Sequence, residues 1–285
     1  MDNLEKNFGG FWTEKKIEIF IKYLRAYLQI MNNTKFKLIY FDGFAGSGYI
    51  ETKNKSLIEG VALKVLSINE PTEFDIYYLV ELDKIKSIEL KEILTENFPD
   101  KRSKTFVVTE DCNKKLIDLC DFLKKNKNYR AIVFIDPKGM QLKWESIKIF
   151  ENLGIDLWVL VPTGMGINRL LSKDGNKISS SFMAKLVDFL GMSEDEIIEY
   201  FYKEEKKYTL FGEESDLVKE KNAIDKSISL IKNRIGEIFK YVSNPFPMVN
   251  KKESLMYHFI FASNNKAGVK IANEIIGKEL KESKK

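Results

Sequence analysis

Residues 35–48, KFKLIYFDGFAGSG, carry the strongest fold signal in this chain. A short apolar run at 36–41 ends in an acid and a glycine-rich loop, a pattern typical of a buried β-strand that leads into a ligand-binding turn. Glycines let the backbone turn sharply and approach a ligand closely. The loop has neither the G-x-G-x-x-G spacing of a dinucleotide site nor the Gly-Lys-Ser/Thr of a P-loop. Taken alone, it is also found as a plain strand-to-helix turn.

Further apolar runs follow this first strand, and helical patterns separate them. We predict strands at 75–83, 104–113, 131–140 and 156–165. We predict helices at 13–31 (with Thr13 as N-cap), 57–68, 84–97 and 144–152. A further helix is predicted from the end of the 104–113 strand through about residue 126. Strands that alternate with helices predict βαβ units and a mainly parallel sheet.

The second half of the chain has a different pattern. Residues 167–241 are charge-rich and helical, without a convincing strand. Strand character returns in a predicted hairpin with its tip at 251–253, and a helix follows over 266–283. We therefore expect one α/β domain over residues 1–285, with a Rossmann-like, mainly parallel seven-stranded sheet. A C-terminal β-hairpin completes the sheet, and 167–241 is a helical insertion between the fifth and sixth strands.

Composition narrows the function classes. The chain has 285 residues, 44% of them hydrophobic, and a net charge of +4, which is compatible with a nucleic-acid partner but does not indicate one. Two cysteines and one histidine allow neither a disulfide framework nor a zinc site, so we expect no bound metal. His258 is interpreted as a satisfied core or edge histidine. With a polar N-terminus and no membrane-length apolar run, we expect a soluble, cytoplasmic protein without a membrane partner.

Acidic residues follow the predicted strands where ligands of an open α/β sheet bind, outside the carboxyl ends. Glu81 is suited to accept hydrogen bonds from both ribose hydroxyls of a nucleoside, whereas Asp83 is suited to cap the next helix. Asp111 is suited to accept from an adenine amino group, and Asn113 to cap a helix. Each acid alone is also typical of a solvated side chain or a helix cap.

The fourth of these strand ends carries Asp136-Pro137-Lys138-Gly139. A carboxylate and a proline carbonyl held together can accept hydrogen bonds from an exocyclic amine and orient its lone pair toward an electrophilic methyl group. The alternative is a simple Asp-Pro turn. Four such signals in order, each at a strand end, favour S-adenosylmethionine (SAM) over NAD or ATP as the ligand.

This order of motifs resembles class I SAM-dependent methyltransferases. The D-x-F-A-G-S-G loop is similar to that of the branch that methylates amino groups of DNA and RNA bases. The Asp-Pro-Lys-Gly tetrapeptide is similar to the Asp/Asn-Pro-Pro-aromatic motif of that branch and closer to the Asp-Pro-x-Gly form of tRNA guanine-N2 methyltransferases. Lys138 departs from this pattern, and Trp144 is the candidate substitute for the missing aromatic residue.

A narrower resemblance covers most of the chain outside the insertion. It is carried by YFDGFAGSG, VELD, FIDPKGMQLKWESIK, DLWVLVPTGMGINRLL and YHFIFASNNKAGVKIANEI. Together these segments resemble the bacterial three-Cys-motif partner protein (TcmP) family. The resemblance implies a Rossmann-like methyltransferase domain. It also implies a genetic partner, a separate three-cysteine protein that resembles radical-SAM enzymes.

Carried over by position, the resemblance implies a role for each motif residue. The expected SAM-binding residues are Asp42, Gly43, Phe44, Gly46, Gly48, Glu81 and Asp111. The expected catalytic residues are Asp136, Pro137 and Gly139. The candidate substrate contacts are Trp144, Asn168 and Arg169, the last two by contact with a phosphate or a base.

Three functions are open at this point. The first is a SAM-dependent N-methyltransferase that acts on a DNA or RNA base, in a mobile-element or phage-defence context. In this function the basic residues of 167–241 contact phosphates, or alternatively they form only a solvated face. The second is a SAM-binding, catalytically altered regulatory partner of the three-cysteine protein. The third is a nuclease- or toxin-like activity with a divalent cation held by the strand-end acids. It is disfavoured because these acids are spread along the sheet edge.

Overall fold

The computed structural model describes residues 11–51, 57–209 and 212–282. The polar N-terminal stretch 1–10 lies outside these ranges. The first helix is α1 (Phe11–Met31), and its apolar residues recur every three or four positions, so that Phe20 and Leu24 are buried on one face. The prediction that Thr13 caps this helix is wrong, because the helix already includes Phe11 and Thr13 is buried within its first turn.

The remaining elements are given in chain order within the described ranges. The strands are β1 (Lys37–Asp42), β2 (Tyr49–Glu51), β3 (Leu57–Glu59), β4 (Ile76–Val80), β5 (Thr105–Val108), β6 (Tyr129–Ile135), β7 (Ile155–Val161), β8 (Tyr202–Thr209), β9 (Gly212–Lys219), β10 (Tyr241–Val242), β11 (Phe246–Val249) and β12 (Leu255–Ser263). The further helices are α2 (Val61–Leu66), α3 (Lys84–Asn97), α4 (Cys112–Lys125), α5 (Trp144–Lys148), α6 (Asn168–Leu170), α7 (Ser180–Leu190), α8 (Glu194–Phe201), α9 (Ala223–Ile238) and α10 (Lys266–Glu282).

The central sheet has the strand order β10-β12-β7-β6-β1-β4-β5, and β11 also pairs with β12. Strands β5, β4, β1, β6 and β7 pair in parallel, whereas β12 runs antiparallel to β7, β10 and β11. This confirms the predicted Rossmann-like α/β class, with its mainly parallel sheet and C-terminal hairpin. The sheet has eight strands rather than seven, because two-residue β10 is too short to leave a periodic pattern.

The two faces of the sheet bury separate hydrophobic clusters, because successive side chains of a strand point to opposite faces. In β1, Leu38 and Tyr40 join the cluster formed with α1, α2, α3 and α10. Ile39 and Phe41 join the cluster formed with α4, α5, α7, α8 and α9. Burial on both faces explains why the parallel strands appear in the sequence as continuous apolar runs.

The segment 167–241 contains α6 to α9, and it also contains a β-hairpin that the sequence pattern did not predict. Strands β8 and β9 pair antiparallel over their full length in a two-stranded sheet of their own. The sequence of β8, YKEEKKYT, is charged and lacks the alternation of a strand with one buried face. The helix predicted at 57–68 is shorter than expected, because its first residues form β3, which pairs with β2.

No helix in the part of the chain that the structure describes is long and apolar enough to cross a membrane.

Candidate active site

A cleft of about 1050 Å³ lies at the carboxyl ends of β1, β4, β5 and β6. Its lining includes Asp42, Glu81, Asp111 and Asp136, so the structure brings the four predicted strand-end acids to one site. Parallel strands that end at one edge produce this convergence, because residues far apart in sequence follow neighbouring strands. Small-molecule sites usually have volumes of about 300–1,000 Å³, so the cleft accommodates a nucleoside-sized ligand.

The loop after β1 uses its own backbone N–H groups internally. Four successive N–H groups donate to protein acceptors: Gly43 to the Phe134 carbonyl (2.9 Å), Phe44 to Asp42 Oδ1 (3.0 Å), Ala45 to the Val80 carbonyl (2.9 Å) and Gly46 to Glu81 Oε2 (2.9 Å). A phosphate-binding loop instead directs such groups at the ligand. This part of the loop is therefore a shaped wall of the cleft and not a phosphate cradle.

Different structural requirements explain the glycine at each position of this loop. Gly46 and Gly48 have φ values of +67° and +95°, a region that side chains rarely adopt. Gly43 is required by close packing, since an added Cβ would lie 2.5 Å from Cys112 Sγ. The Gly48 carbonyl accepts a hydrogen bond of 2.7 Å from the Gly60 N–H, which ties the end of the loop to the start of α2.

Asp42 holds the loop from beneath. Its carboxylate is buried and accepts hydrogen bonds from the Tyr40 hydroxyl (2.9 Å) and the Phe44 N–H (3.0 Å). Burial raises the pKa of Asp42 to about 7; the two hydrogen bonds oppose the rise and Asp136 adds to it. Asp42 was predicted to bind the cofactor, and the structure shows that each of its oxygens is already engaged within the chain.

Glu81 and Asp83 divide the two roles predicted for them. Glu81 lines the cleft, and its two oxygens accept from the N–H groups of Gly46 and Asp83, each at 2.9 Å. A carboxylate offers about four acceptor positions, so Glu81 retains capacity for ribose hydroxyls. Asp83 caps α3 by accepting from the N–H groups of Ile85 and Lys86, which confirms its predicted capping role.

Asp111 and Asn113 differ from their predicted roles in an informative way. Asp111 is the N-cap of α4, with Oδ1 accepting from the N–H groups of Asn113 (2.9 Å) and Lys114 (3.3 Å). Oδ2 takes part in neither bond, so Asp111 combines capping with a place in the cleft lining. Asn113 is not the cap; its buried side chain bonds the Gln141 carbonyl and the Lys143 N–H and positions the segment after the Asp-Pro motif.

Asp136 forms an ion pair with Lys16 of α1, a residue that no sequence motif indicated. The Lys16 side chain is 4% exposed and that of Asp136 is 23% exposed. The pairing follows from the packing of two rings, Phe20 and Phe134, whose centroids are 4.5 Å apart. Lys16 lies one turn before Phe20, and Asp136 lies two residues after Phe134, directly beyond the end of β6, so this packing brings the two charges together.

Trp12 completes this end of the cleft. It lines the cleft one turn before Lys16, whose Nζ lies 5.5 Å from the ring centroid, and its ring lies 5.2 Å from that of Tyr257. The sequence feature that could have indicated the Lys16–Asp136 pair is a lysine on an otherwise apolar face of α1. Such a lysine also arises when its stem packs on the core and its amine reaches solvent, so the pattern alone does not indicate an ion pair.

The residues predicted to contact substrate do not line this cleft. Trp144 is buried, and the Arg234 guanidinium lies 4.7 Å from its ring centroid, so the expectation that Trp144 stacks on a base is wrong. The side-chain oxygen of Asn168 accepts from Lys219 Nζ at 3.2 Å, and Arg169 is exposed outside the lining. These placements follow from the packing of α5 against Arg234 of α9 and from the hydrogen bond between Lys219 of β9 and Asn168.

Pro137 and Gly139 flank the cleft. Pro137 is buried directly after Asp136, whereas Gly139 is half-buried and a Cβ added there would meet nothing within 4 Å. Their predicted catalytic roles stay predictions.

The electrostatic character of the cleft is acidic. Seven carboxyl side chains and three lysines line it, and the ion pairs within the lining include Lys16 with Asp136 and Lys86 with Asp83. An excess of carboxylates opposes binding of a polyphosphate and favours a cationic ligand. Within residues 11–51, 57–209 and 212–282, no three His, Cys, Asp or Glu side chains form a group able to hold a metal ion.

His258 is a core residue, as predicted. Its Nδ1 lies 2.9 Å from the Thr163 hydroxyl, and both side chains are buried. Burial lowers the pKa of His258 to about 4, so the ring is neutral near pH 7.

The comparisons with known proteins give only distant likenesses. No protein-family model and no curated protein matches the chain. The solved structure of LPL1258 from Legionella pneumophila str. Philadelphia 1 has 13% identity and a TM-score of 0.46, covering 96% of this chain and 94% of that one. Spermidine synthase from Thermotoga maritima has 12% identity, a TM-score of 0.40 and coverage of 89% and 62%. The glycopeptide N-methyltransferase MtfA has 11% identity, a TM-score of 0.37 and coverage of 85% and 94%.

Proposed function

We propose that this protein is a SAM-dependent N-methyltransferase. The observation that carries the proposal is the cleft itself. Its glycine loop at a strand end donates its first N–H groups to acceptors within the protein, and its lining is rich in carboxylates. NAD and ATP carry phosphates that need free N–H donors and basic groups. SAM is a nucleoside without phosphate that carries positive charge, and therefore matches the acidic lining.

The residues present fit this cofactor. The bend at Gly46 and Gly48 gives the methionine moiety room, since a Cβ added at Gly46 would meet nothing within 4 Å. Glu81 accepts from the ribose hydroxyls, and Asp111 accepts from the adenine amino group through its oxygen outside the helix cap. Bound SAM supplies an electrophilic methyl group.

Asp136 is the residue that orients the acceptor amine. Its carboxylate accepts a hydrogen bond from an N–H of the amine, and the Pro137 carbonyl accepts the other, which directs the nitrogen lone pair toward the methyl group. After transfer the nitrogen carries one proton too many, and Asp136 takes this proton and passes it to water.

The acceptor we propose is the exocyclic amine of a DNA or RNA base. Two features support this substrate class: the similarity of the Asp-Pro-Lys-Gly motif to base-methylating enzymes, and the aromatic ring of Trp12, which lines the cleft next to Lys16, the partner of Asp136. A flat base stacks on such a ring. A base inside a duplex must first leave the stack, so single-stranded or flipped substrates are expected.

The test is transfer of a radiolabelled methyl group from SAM to pooled cellular RNA and DNA. We expect labelled nucleic acid with the wild type and a loss of at least 100-fold with Asp136→Asn. The control is Asp118→Asn, an exposed acid of α4 outside the cleft lining, which should keep wild-type transfer. Absence of label in both polymers, or full activity of Asp136→Asn, contradicts the proposal.

A second candidate is the SAM-binding regulatory partner that the TcmP resemblance suggests. The observations that favour it are the ion pair that occupies Asp136 and the unusual Lys138 in the motif. This function predicts SAM binding without labelled product in any nucleic-acid or protein pool, together with stable co-purification with the three-cysteine protein. A labelled product that disappears with Asp136→Asn excludes it.

A further inference from the structure

We propose that Lys16 determines the class of acceptor: by neutralising Asp136, it selects an uncharged, aromatic-type amine over an alkylammonium such as a lysine side chain or a polyamine. This inference rests on the proposed function, because it concerns the acceptor end of the same cleft. It assigns Lys16 a positioning role, exerted through Asp136 and through its own charge.

The position of Lys16 is fixed by packing. Around it, Phe20 contacts Phe134 and Trp158, with ring centroids 4.5 and 6.1 Å apart. Further along α1, the Tyr23 hydroxyl donates to Asp156 at 3.0 Å. Because the contacts of Phe20 and Tyr23 fix α1 against the sheet, the Lys16 ammonium stays beside Asp136 in the cleft.

The same helix is anchored to α10 by a separate ion cluster. Buried Glu279 pairs with Lys15, which precedes Lys16 in sequence, and with Lys22, which lies further along α1. These contacts satisfy the neighbouring lysines away from the cleft. Lys16 is therefore the α1 lysine whose charge reaches the site, which provides a matched comparison within one helix.

The charge balance around Asp136 follows from the groups that face it. Lys16 contributes a positive charge against its Oδ2, and Asp42 lies buried nearby under the loop. The neighbouring Tyr40 and Tyr257 hydroxyls are neutral, because burial and nearby carboxylates raise their pKa above the ordinary value of 10. The Lys16–Asp136 pair thus has no net charge.

Two kinds of amine meet this pair differently. A neutral aromatic-type amine needs an acceptor, and the Asp136 Oδ1 that Lys16 does not engage supplies one. An alkylammonium must give up its hydration, the carboxylate that it reaches is already neutralised by its own partner, and the Lys16 ammonium beyond that carboxylate repels it. The pair therefore admits the first and opposes the second.

The test measures binding and not turnover. The probes are S-adenosylhomocysteine, which has no charge at the sulfur, and sinefungin, which carries an ammonium group in place of the methylsulfonium. The ratio of their dissociation constants, measured by calorimetry at pH 7.5, reports how the acceptor end of the cleft treats a cationic amine. Because S-adenosylhomocysteine occupies the remaining cleft equally, general damage to the fold cancels in this ratio.

We expect Lys16→Met to favour sinefungin by about tenfold or more relative to S-adenosylhomocysteine, since a charge within about 4–6 Å commonly changes an ionic equilibrium by this amount. Lys16→Arg keeps the wild-type ratio. Lys22→Met, the matched control further along α1, also keeps it. Asp136→Asn shifts the ratio in the opposite direction, because it leaves the Lys16 charge unbalanced.

The outcomes are distinguishable. A ratio within twofold of wild type in Lys16→Met, with S-adenosylhomocysteine still bound, overturns the inference and leaves the proposed function intact. If Lys16→Met does not fold, an unchanged ratio in Asp136→Asn has the same meaning. Wild-type protein that binds neither probe overturns the proposed function and this inference with it.

Discussion

Replacement of Gly43 by alanine tests how the glycine loop is built. The added Cβ would lie 2.5 Å from Cys112 Sγ and 2.9 Å from Ile135 Cδ1. Carbon atoms in contact prefer about 3.5–4.0 Å, so roughly 1 Å of displacement is needed toward the first turn of α4. Ile135 can rotate its terminal methyl, whereas Cys112 is short and buried. Overpacking of this kind usually costs about 1–3 kcal/mol.

The assay is urea unfolding followed by circular dichroism, combined with calorimetry for SAM. We expect Gly43→Ala to lower the free energy of unfolding by about 1–3 kcal/mol and to weaken SAM binding, because the displaced loop forms the cleft wall. The matched control is Gly139→Ala, where the new Cβ meets nothing within 4 Å; its stability should stay within about 0.5 kcal/mol of wild type.

A second substitution identifies the cause. In Gly43→Ala/Cys112→Ala the sulfur that blocks the new Cβ is absent. Burial raises the pKa of the Cys112 thiol, which is therefore neutral, so this change removes volume and no charge. We expect the double variant to be more stable than the sum of the single variants by about 1 kcal/mol or more. Additive single effects, or a stable and fully SAM-binding Gly43→Ala protein, would refute the steric explanation.

Three further predictions concern stability. Glu279→Gln should cost about 1–3 kcal/mol in urea unfolding, since it leaves Lys15 without its buried partner, whereas exposed Glu282→Gln, 3.9 Å from the same lysine, should cost under about 0.5 kcal/mol. Burial raises the pKa of Asp42 from 3.8 to about 7, so its contribution to stability is complete below pH 4 and is lost as pH rises toward 7. Unfolding at pH 5 and pH 8 should show wild type losing about 2–3 kcal/mol relative to Asp42→Asn, and a constant difference would disprove this. Gly277→Ala, in open space within α10, should raise the unfolding free energy by about 0.5–1 kcal/mol, and a loss would contradict the described helix.

The sequence was sufficient to predict the sheet because the parallel strands are buried on both faces. Runs such as LIYF in β1 leave a continuous apolar signal, and each ends in residues that break it. Since parallel strands end at one edge, the positions of Glu81, Asp111 and Asp136 in the cleft followed from local pattern alone. Two-residue β10 and the charged β8–β9 hairpin escaped prediction because neither produces an apolar periodicity.

The site features that the sequence failed to predict depend on tertiary contacts. Lys16 and Asp136 are 120 residues apart, and their pairing depends on how α1 packs across β6 through Phe20. Trp144 was expected to stack on substrate, but α5 turns its ring into the core against Arg234. The sequence shows that a side chain is aromatic or charged. The way in which its helix packs determines whether that side chain contacts solvent, the core or a ligand.

We predict that the cleft binds SAM and does not bind phosphate-bearing nucleotides. The measurement is calorimetric titration of the purified chain with SAM, and separately with ATP and NAD. Gly46→Arg places a long side chain in the cleft, while Gly46→Ala carries the same positive-φ strain without the bulk. We predict one SAM site per chain in wild type, retained in Gly46→Ala and lost in Gly46→Arg, with no heat from ATP or NAD. Binding of ATP or NAD in preference to SAM, or SAM binding unchanged by Gly46→Arg, would show that the cleft is not a SAM site.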